Sequence, residues 1–285
     1  SMAMLSREAC ERAVRFLQEQ ARPLEAACFR HSFGEAPATS VVKALAAYQN
    51  GDGGYGRALE PDLRTPSSSA LATSLALLRL AALGVGGKHP QVQAARAYLE
   101  RSLDPQRWTW RIVPDDVGAY PHAPWWGQAG LEERFGRYLV NPRAALVAGL
   151  LHFEDTLDGD WLGQVAEDTV RAVETRELDM HELLAALALL EAPGLAVGSR
   201  ARVRAACEQA AEFAEVVHVN LDVLVAAQGE EGAWSPNWSW GAYPDAWAEA
   251  QREWQGVLTL EALEALRAYG RIEDVTWRAA ASNGG

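Results

Sequence analysis

Three segments of this chain place an acidic side chain or a histidine directly after a proline. The candidate acids and bases are Asp62, His122 and Asp245, with Asp115, Asp116 and Glu60 close to them in sequence. Because the segments resemble one another, we expect equivalent positions to face the same end of the fold. Carboxyl groups that converge in a low-dielectric cleft suit a general acid at neutral pH, and His122 would share that proton or orient a carboxylate.

Two other interpretations of these residues remain open. Asp62 and Asp245 could instead be turn residues whose carboxylates accept local backbone N–H groups after the proline. A metal held by Asp62, His122 and Asp245 would have a single imidazole ligand, so we expect no metal and no other cofactor.

Tryptophan is the unusual component of the composition, with 11 Trp against 7 Tyr and 6 Phe. Nine of them fall in or beside the second and third segments: Trp108, Trp110, Trp125, Trp126, Trp234, Trp238, Trp240, Trp247 and Trp254. Aromatic faces lining a cavity would stabilise a carbocation, bind a polyene or steroid, or stack on sugar rings. The predicted substrate-binding set is Trp108, Trp110, Tyr120, Trp125, Trp126, Trp238, Trp240, Tyr243, Trp247, Glu60 and Arg57, whereas Trp234 and Tyr55 are expected to be core residues.

Four arginines flank the same segments: Arg57, Arg64, Arg107 and Arg111. They could hold a diphosphate or carboxylate with two parallel hydrogen bonds. Neutralising the neighbouring carboxylates in surface ion pairs is the interpretation that we favour.

The elements that would position these residues are helices. Apolar residues recur with a period near 3.6 over 7–20, 37–48, 68–83, 90–103, 142–156, 162–176, 180–190, 199–217, 221–227 and 257–269. The connections 49–66, 104–130 and 228–256 are long and rich in Gly, Pro and Trp, and long loops in compact helical domains are often functional. The pattern predicts an all-α protein with three long loops.

The loops are related to one another. Gln49–Tyr55 and Gln228–Trp234 both read Gln, three residues, Gly, one residue, aromatic, and each precedes a similar helix. Gly118–Ala123 and Gly241–Ala246 share five of six residues. The sequence therefore predicts a repeated unit of helix, Gly/aromatic loop, Pro-containing loop and helix.

Charge and cysteine content restrict the class of partner. With 26 basic and 38 acidic residues, the formal net charge is −12, which argues against nucleic acid or an anionic membrane surface as partner. No apolar stretch approaches the length of a membrane span. Cys10, Cys28 and Cys207 are too few and too scattered for a disulfide framework or a CxxC zinc site, so we expect a cytoplasmic protein.

The repeats resemble those of a known superfamily. Gln49-Asn50-Gly51-Asp52-Gly53-Gly54-Tyr55-Gly56, with 228–234 as a second copy, is similar to the Gln-Trp repeat of squalene and oxidosqualene cyclases and of protein prenyltransferase β subunits. The resemblance implies a single α/α toroid over 1–285, with paired inner and outer helices. Within that range we expect an ordered core at 5–277, a start or tag remnant at 1–4, where the chain reads Ser-Met-Ala-Met, and a tail at 278–285. The three loops are expected at one end of that toroid.

The same resemblance bears on the chemistry. Val113-Pro114-Asp115-Asp116 keeps the last two aspartates of the cyclases' Asp-x-Asp-Asp acid motif, which implies Asp115 as proton donor, with Val113 where the first Asp belongs. The prenyltransferase zinc ligands have no counterpart, since no cysteine lies in a loop. The sequence Glu154–Asp158 has the spacing of the Asp-rich magnesium motif, but is expected to be a solvated turn.

The favoured hypothesis is a metal-independent cyclase, isomerase or lyase that acts on an apolar isoprenoid-like or polyene small molecule. Asp115 or Asp116 would be the acid, and His122, Asp62 and Asp245 would support it. Two alternatives stay open: a non-catalytic toroid that binds an apolar ligand or a partner protein, and a carbohydrate-active toroid enzyme. The oligomeric state does not follow from the sequence.

Overall fold

The computed structural model describes residues 2–127, 138–153, 161–210 and 216–277, with backbone only at 216–220, and this part is all-α. Its eleven α-helices are α1 (Arg7–Glu19), α2 (Pro23–Phe33), α3 (Ala38–Ala46), α4 (Ala70–Ala82), α5 (Pro90–Ser102), α6 (Arg143–Leu151), α7 (Trp161–Glu174), α8 (Met180–Glu191), α9 (Val197–Ala210), α10 (Val216–Ala226) and α11 (Pro244–Ala268). A two-stranded antiparallel hairpin joins β1 (Leu103–Asp104) to β2 (Thr109–Trp110). The predicted all-α class is confirmed.

The chain divides into two compact units. The first comprises Ser1–Ala47 with Ala214–Gly285, and the second comprises Tyr48–Phe213. The first unit contains α1 to α3, α10 and α11, and the second contains α4 to α9 and the hairpin. The single domain over 1–285, with its core at 5–277, stays a prediction.

Helix α6 lies at the centre of the second unit, where it contacts α4, α7 and α8. Its sequence, Arg-Ala-Ala-Leu-Val-Ala-Gly-Leu-Leu, is apolar on every face after the first residue, as expected for a helix surrounded by protein. Gly149 allows α4 to approach, because a Cβ atom there would lie 3.0 Å from the Leu77 Cβ. No helix within the described residues is long and apolar enough to cross a membrane.

The first unit is built around α1, which contacts α2 and α11. Ser6 caps this helix, its hydroxyl accepting the Ala9 N–H at 3.1 Å. Residues Cys10, Ala13 and Leu17 form a buried stripe on one face, and the charged residues of the helix lie outside it. Burial raises the pKa of the Cys10 thiol to about 12, so this cysteine is an inert core residue.

The two chain ends pair within the first unit. Leu5 and Ile272 form a parallel bridge, in which Leu5 donates to Arg271 O at 2.7 Å. The Arg271 side chain is 2 % exposed and donates to Ala3 O at 2.9 Å and to Asp222 at 2.6 Å. Asp222 also accepts the Ala3 N–H at 3.0 Å, so Ala3, expected above to belong to a start or tag remnant, takes part in the packed structure.

We expect Asp222→Asn to lower the melting temperature by a few degrees at pH 7. The hydrogen bonds from Arg271 and from the Ala3 amide hold the pKa of Asp222 below its usual value of 3.8. The stabilisation is therefore complete above pH 3.8 and is lost as the pH falls through the lower folded-state pKa. Thermal unfolding of both proteins between pH 7 and pH 3 should show the difference shrinking only at the acid end, whereas Asp274→Asn, an exposed control, should unfold like the wild type throughout.

Three elements differ from the sequence predictions. Helix α2 was not predicted, because residues 24–29 are buried almost all round and leave no polar face to define a period. The third long connection ends at Tyr243 rather than at 256, since Pro244 begins a 25-residue helix. The helix expected over 142–156 is shorter, because α6 begins at Arg143, with Pro142 at its N-cap, and ends at Leu151.

Candidate functional site

The first Gln-Gly-aromatic copy is a closed hydrogen-bonded loop against helix α5. The Gln49 amide donates to Gly53 O at 2.9 Å and to Gln91 O, on the first turn of α5, at 3.0 Å. The Tyr55 N–H donates to the Thr73 hydroxyl at 3.0 Å, and the Tyr55 hydroxyl donates to Gln91 at 2.7 Å. Burial raises the pKa of this phenol. Tyr55 is fully buried, as expected of a core residue.

The later copy makes the same bonds in the first unit. The Gln228 amide donates to Gly232 O at 2.9 Å and to Ala9 O, on the first turn of α1, at 2.8 Å. The Trp234 N–H donates to the Thr259 hydroxyl at 3.0 Å. The two copies therefore share three corresponding hydrogen bonds, and in both the motif ties a loop to the start of a helix.

In the second and third long loops, a tryptophan binds the preceding helix through its indole N–H. The indole N–H of Trp110 donates to Leu99 O at 2.7 Å, and that of Trp234 donates to Leu224 O at 2.7 Å. Trp110 is 1 % exposed and packs edge-on against Trp161, with 6.5 Å between ring centroids. The structure thus places Trp110, from the predicted substrate-binding set, among packed core residues.

The first and second loops are joined at the predicted acid and histidine. Leu63 and His122 form an antiparallel bridge, in which Arg64 N donates to Pro121 O at 3.1 Å and Ala123 N donates to Asp62 O at 2.9 Å. Asp62 and His122 therefore occupy adjacent backbone segments although sixty residues separate them in sequence.

These two residues differ in their exposure. Asp62 is 3 % exposed, and it is the buried member of the predicted acidic set. His122 is half-buried, and its Nδ1 lies 2.7 Å from Tyr120 O. An N–H at Nδ1 donating to that carbonyl leaves Nε2 as an acceptor in the neutral ring.

Asp116 is clamped by two hydroxyl groups of the first loop. Thr65 donates to one carboxylate oxygen at 2.9 Å, and Ser67 donates to the other at 2.5 Å. Thr65 is itself 1 % exposed. The clamp crosses from the first loop to the second and fixes the orientation of Asp116.

Asp115 faces water beside its ion-pair partner Arg111, with 74 % of the Asp115 side chain exposed. The interpretation of Arg111 as a neutralising partner is confirmed, and exposed pairs of this kind contribute little to stability. The proton donor implied by the family motif is thus a solvent-facing, ion-paired carboxylate in this structure.

Arg57 and Glu60 lie on a strained turn at the end of the first motif copy. Leu59 N donates to Gly56 O at 3.1 Å, which closes a turn with Arg57 and Ala58 at its centre. The φ angles of these two residues, 56° and 60°, are left-handed. Neither residue is a glycine, and such backbone strain costs about 1 kcal/mol or more per residue and concentrates at functional sites. The exposed Arg57 side chain donates to Asn50 at 2.8 Å.

Two aromatic residues of the second unit, Trp126 and Tyr138, pack against an apolar cluster. That cluster consists of Leu63, Leu71, Ile112, Val113 and Val117. Trp126 packs on it and stacks with Tyr138 at a centroid distance of 6.0 Å. Tyr120 and Trp125 are each 37 % exposed, so the predicted set contributes both packed and accessible rings here.

Four further aromatic residues of the predicted set lie in the first unit: Trp238, Trp240, Tyr243 and Trp247. Trp238 packs edge-on against Trp254, and Trp240 packs against Trp247 with 5.4 Å between ring centroids. Tyr243 is exposed, with a left-handed φ of 51°, and Asp245 is exposed on the first turn of α11. Convergence of Asp245 with Asp62 and His122 stays a prediction, because they belong to different units.

Sequence analysis missed a buried ion pair next to Trp108. Arg143 is fully buried and donates to Asp168 at 2.7 Å, to Trp108 O at 2.9 Å and to Leu139 O at 2.8 Å. Burial lowers the pKa of Arg143, while the Asp168 carboxylate opposes that shift. Trp108 has a left-handed φ of 50°, so Arg143 holds a strained residue in place. The signal available in the sequence was one arginine at the head of an otherwise apolar helix.

No group of three or more His, Cys, Asp or Glu side chains is arranged to hold a metal ion among the residues that the structure describes. The three cysteines are buried, and none of them forms a disulfide. The motif Glu154–Asp158 lies outside the described residues.

Comparison with known proteins shows a likeness to a solved structure. No protein-family model matches the chain, and no curated protein matches it. Among solved structures, the chain is similar to a variant of the type II terpene cyclase MstE from Scytonema, solved with geranylgeranyl dihydroxybenzoate as substrate. The sequence identity is 15 % and the TM-score 0.36, over 90 % of this chain and 97 % of that one.

Proposed function

We propose that this chain is a single α/α toroid whose second unit binds an apolar, isoprenoid-like or polyene small molecule and initiates its cyclisation or isomerisation with a proton. The observation that carries the proposal is the bridge between Leu63 and His122, which brings buried Asp62 and half-buried His122 onto adjacent segments. The apolar cluster and the Trp126–Tyr138 stack beside them supply the kind of surface that such a ligand needs.

Asp62 is the proton donor in this proposal. Of the predicted acids, Asp62 is 3 % exposed and adjoins the bridge to His122, whereas 74 % of the Asp115 side chain is exposed beside Arg111. The Asp62 proton would pass to one carbon of a substrate double bond, and the positive charge on the other carbon would be stabilised by aromatic faces.

His122 completes the proton balance. Its Nε2 is the acceptor in the tautomer that donates to Tyr120 O, so it would remove the proton that the cation loses when the new double bond forms. Returning that proton to Asp62 restores both groups. The net reaction is a redox-neutral isomerisation or cyclisation.

The experiment combines a polyprenyl and polyene panel with product detection by mass spectrometry. Asp62→Asn should lower turnover at least about 100-fold, since one general acid contributes about that much, with helicity unchanged. Glu100→Gln, an exposed residue of the same unit, should match the wild type. If Asp115→Asn/Asp116→Asn abolished turnover while Asp62→Asn did not, the donor would lie in the Asp115–Asp116 motif and the assignment to Asp62 would be wrong.

A non-catalytic binding function is the second candidate, and the engaged state of Asp115 and Asp116 favours it. It predicts no turnover of any substrate, and ligand binding that survives Asp62→Asn. Tryptophan fluorescence titrated with the same panel and with soluble oligosaccharides would separate it from a carbohydrate-active enzyme, which responds to sugars alone.

A further inference from the structure

The first unit contains a groove of about 480 Å³ that none of the predicted site residues line. It runs between α1 and α11 and is bordered on one side by the second Gln-Gly-aromatic copy, at 228–234. The charged side chains that line it are Arg12, Arg15, Glu19, Glu230, Glu231 and Arg252. Its volume falls within the range of ordinary small-molecule sites.

The frame of this groove is rigid. Gly232 packs directly on the α1 backbone, since a Cβ there would lie 2.5 Å from the carbonyl carbon of Arg12, and Gln228 ties the same loop to Ala9. On the other side, Gly256 brings α11 against Ala21, at the end of α1. These contacts fix the backbone positions from which the charged side chains extend, so the groove is preorganised for a ligand.

Three cations and three anions share the groove, yet within the described part of the chain none of the six forms an ion pair. Their charges sum to zero. An anionic ligand is attracted by the arginines but repelled by the glutamates, and a cationic ligand is attracted by the glutamates but repelled by the arginines. A ligand with one charge of each sign gains from both sets. The groove therefore selects for charge separation within the ligand rather than for net charge.

The spacing along α1 sets the length of such a ligand. Arg12, Arg15 and Glu19 follow one another on a single face, and the helical rise separates Arg12 from Glu19 by about 10 Å and Arg15 from Glu19 by about 6 Å. An extended peptide of two to three residues spans at most about 7 to 11 Å between its charged ends. Phe16, 7 % exposed at the floor, offers an apolar surface to the middle of the ligand.

We propose that this groove is a binding site for a short zwitterionic peptide of two or three residues with free termini. The carboxylate lies against the guanidinium groups of Arg12, Arg15 and Arg252, and the ammonium lies against Glu19 or the Glu230–Glu231 pair. The site is independent of the proposed acid chemistry, because it shares no residue with the second unit.

The test is calorimetric titration of the full chain with tri-alanine at low ionic strength. Saturable binding is expected, with at least tenfold weaker binding of the N-acetylated and of the C-amidated tripeptide, and further weakening as salt is added. Arg15→Gln/Arg252→Gln should weaken tri-alanine binding at least tenfold, and Glu19→Gln should weaken it less. Arg204→Gln, an exposed arginine of α9 outside the groove, should leave it unchanged.

Three results would overturn the proposal: no saturable binding of tri-alanine, equal binding of the blocked peptides, or full binding by the Arg15→Gln/Arg252→Gln variant with its fold intact by circular dichroism. A site that prefers the amidated peptide would be a cation site, and one that prefers the acetylated peptide would be an anion site. Either preference contradicts a zwitterion site. None of these results depends on whether the second unit turns over a polyene.

Discussion

Replacing Gly53 with alanine should lower the free energy of unfolding by about 2–5 kcal/mol. Two costs add at this position. Its φ of +90° is one that side chains rarely adopt, which costs about 1–2 kcal/mol, and the new Cβ would lie 2.2 Å from the carbonyl oxygen of Ala94 on α5. That oxygen belongs to the backbone and cannot rotate away, so relief requires the loop to separate from the helix, at about 1–3 kcal/mol.

Two other glycines of the second unit are matched controls for this prediction. Gly84 has a φ of +73° but nothing within 4 Å of its Cβ position, so Gly84→Ala should cost only the conformational term of about 1 kcal/mol. Gly51, also in the motif, has neither a positive φ nor a close neighbour, and Gly51→Ala should change stability by less than about 0.5 kcal/mol. Urea unfolding followed by circular dichroism would rank the three, and a Gly53→Ala cost no larger than that of Gly84→Ala would mean that the loop does not rest on α5.

The repeat made Gly53 recognisable from the sequence. Matching Gln49–Tyr55 to Gln228–Trp234 predicted equivalent loops, and both glutamines donate to their own glycine carbonyl and to the start of a helix. Part of this motif is predictable because the bond from each glutamine to its own glycine carbonyl spans only four residues. The partners of its other bonds, such as Gln91 for the first copy and Ala9 for the second, depend on tertiary packing.

Helices with one apolar face were equally predictable, as α1 and α5 show, with ends within one residue of those expected. The misses have a common cause. Helix α2 is buried on nearly every face, and the first half of α11 is so rich in tryptophan that it was assigned to a loop, so neither shows the single apolar stripe that marks an amphipathic helix.

The residues of the candidate site could be predicted from the sequence, but most of their hydrogen-bond partners could not. The proximity of Asp62 to His122 followed from the repeat, and the Arg111–Asp115 pair followed from the expected ion pairing of the flanking arginines with nearby carboxylates. The hydroxyl clamp on Asp116 did not, because Ser67 is 49 residues away and nothing in its type marks it as a partner. The same limit hid Arg143, whose carboxylate partner lies 25 residues further along the chain.

That buried arginine carries the other large expected effect: Asp168→Ala should lower the free energy of unfolding by about 2–3 kcal/mol. Arg143 is fully buried and would keep its charge with only carbonyl oxygens as partners, since burial lowers its pKa without removing its proton near neutrality. Removing one partner of a buried pair costs about 3–5 kcal/mol, and we discount that because 31 % of the Asp168 side chain reaches water.

Three further variants separate the buried charge from the lost contacts. Asp168→Asn keeps an oxygen acceptor and should cost less than Asp168→Ala, whereas Glu100→Ala, an exposed acid of the same unit, should be nearly neutral. Arg143→Met/Asp168→Ala also removes the buried charge that Asp168→Ala leaves without a carboxylate partner. The double variant should therefore be about as stable as Asp168→Ala or more so. A cost of about 1 kcal/mol is set against this gain, because the carbonyl groups of Leu139 and Trp108 lose their donor. The single Arg143→Met variant completes the cycle, measured by urea unfolding. Strictly additive losses would show that the two side chains act independently and that Asp168 does not neutralise Arg143 in solution.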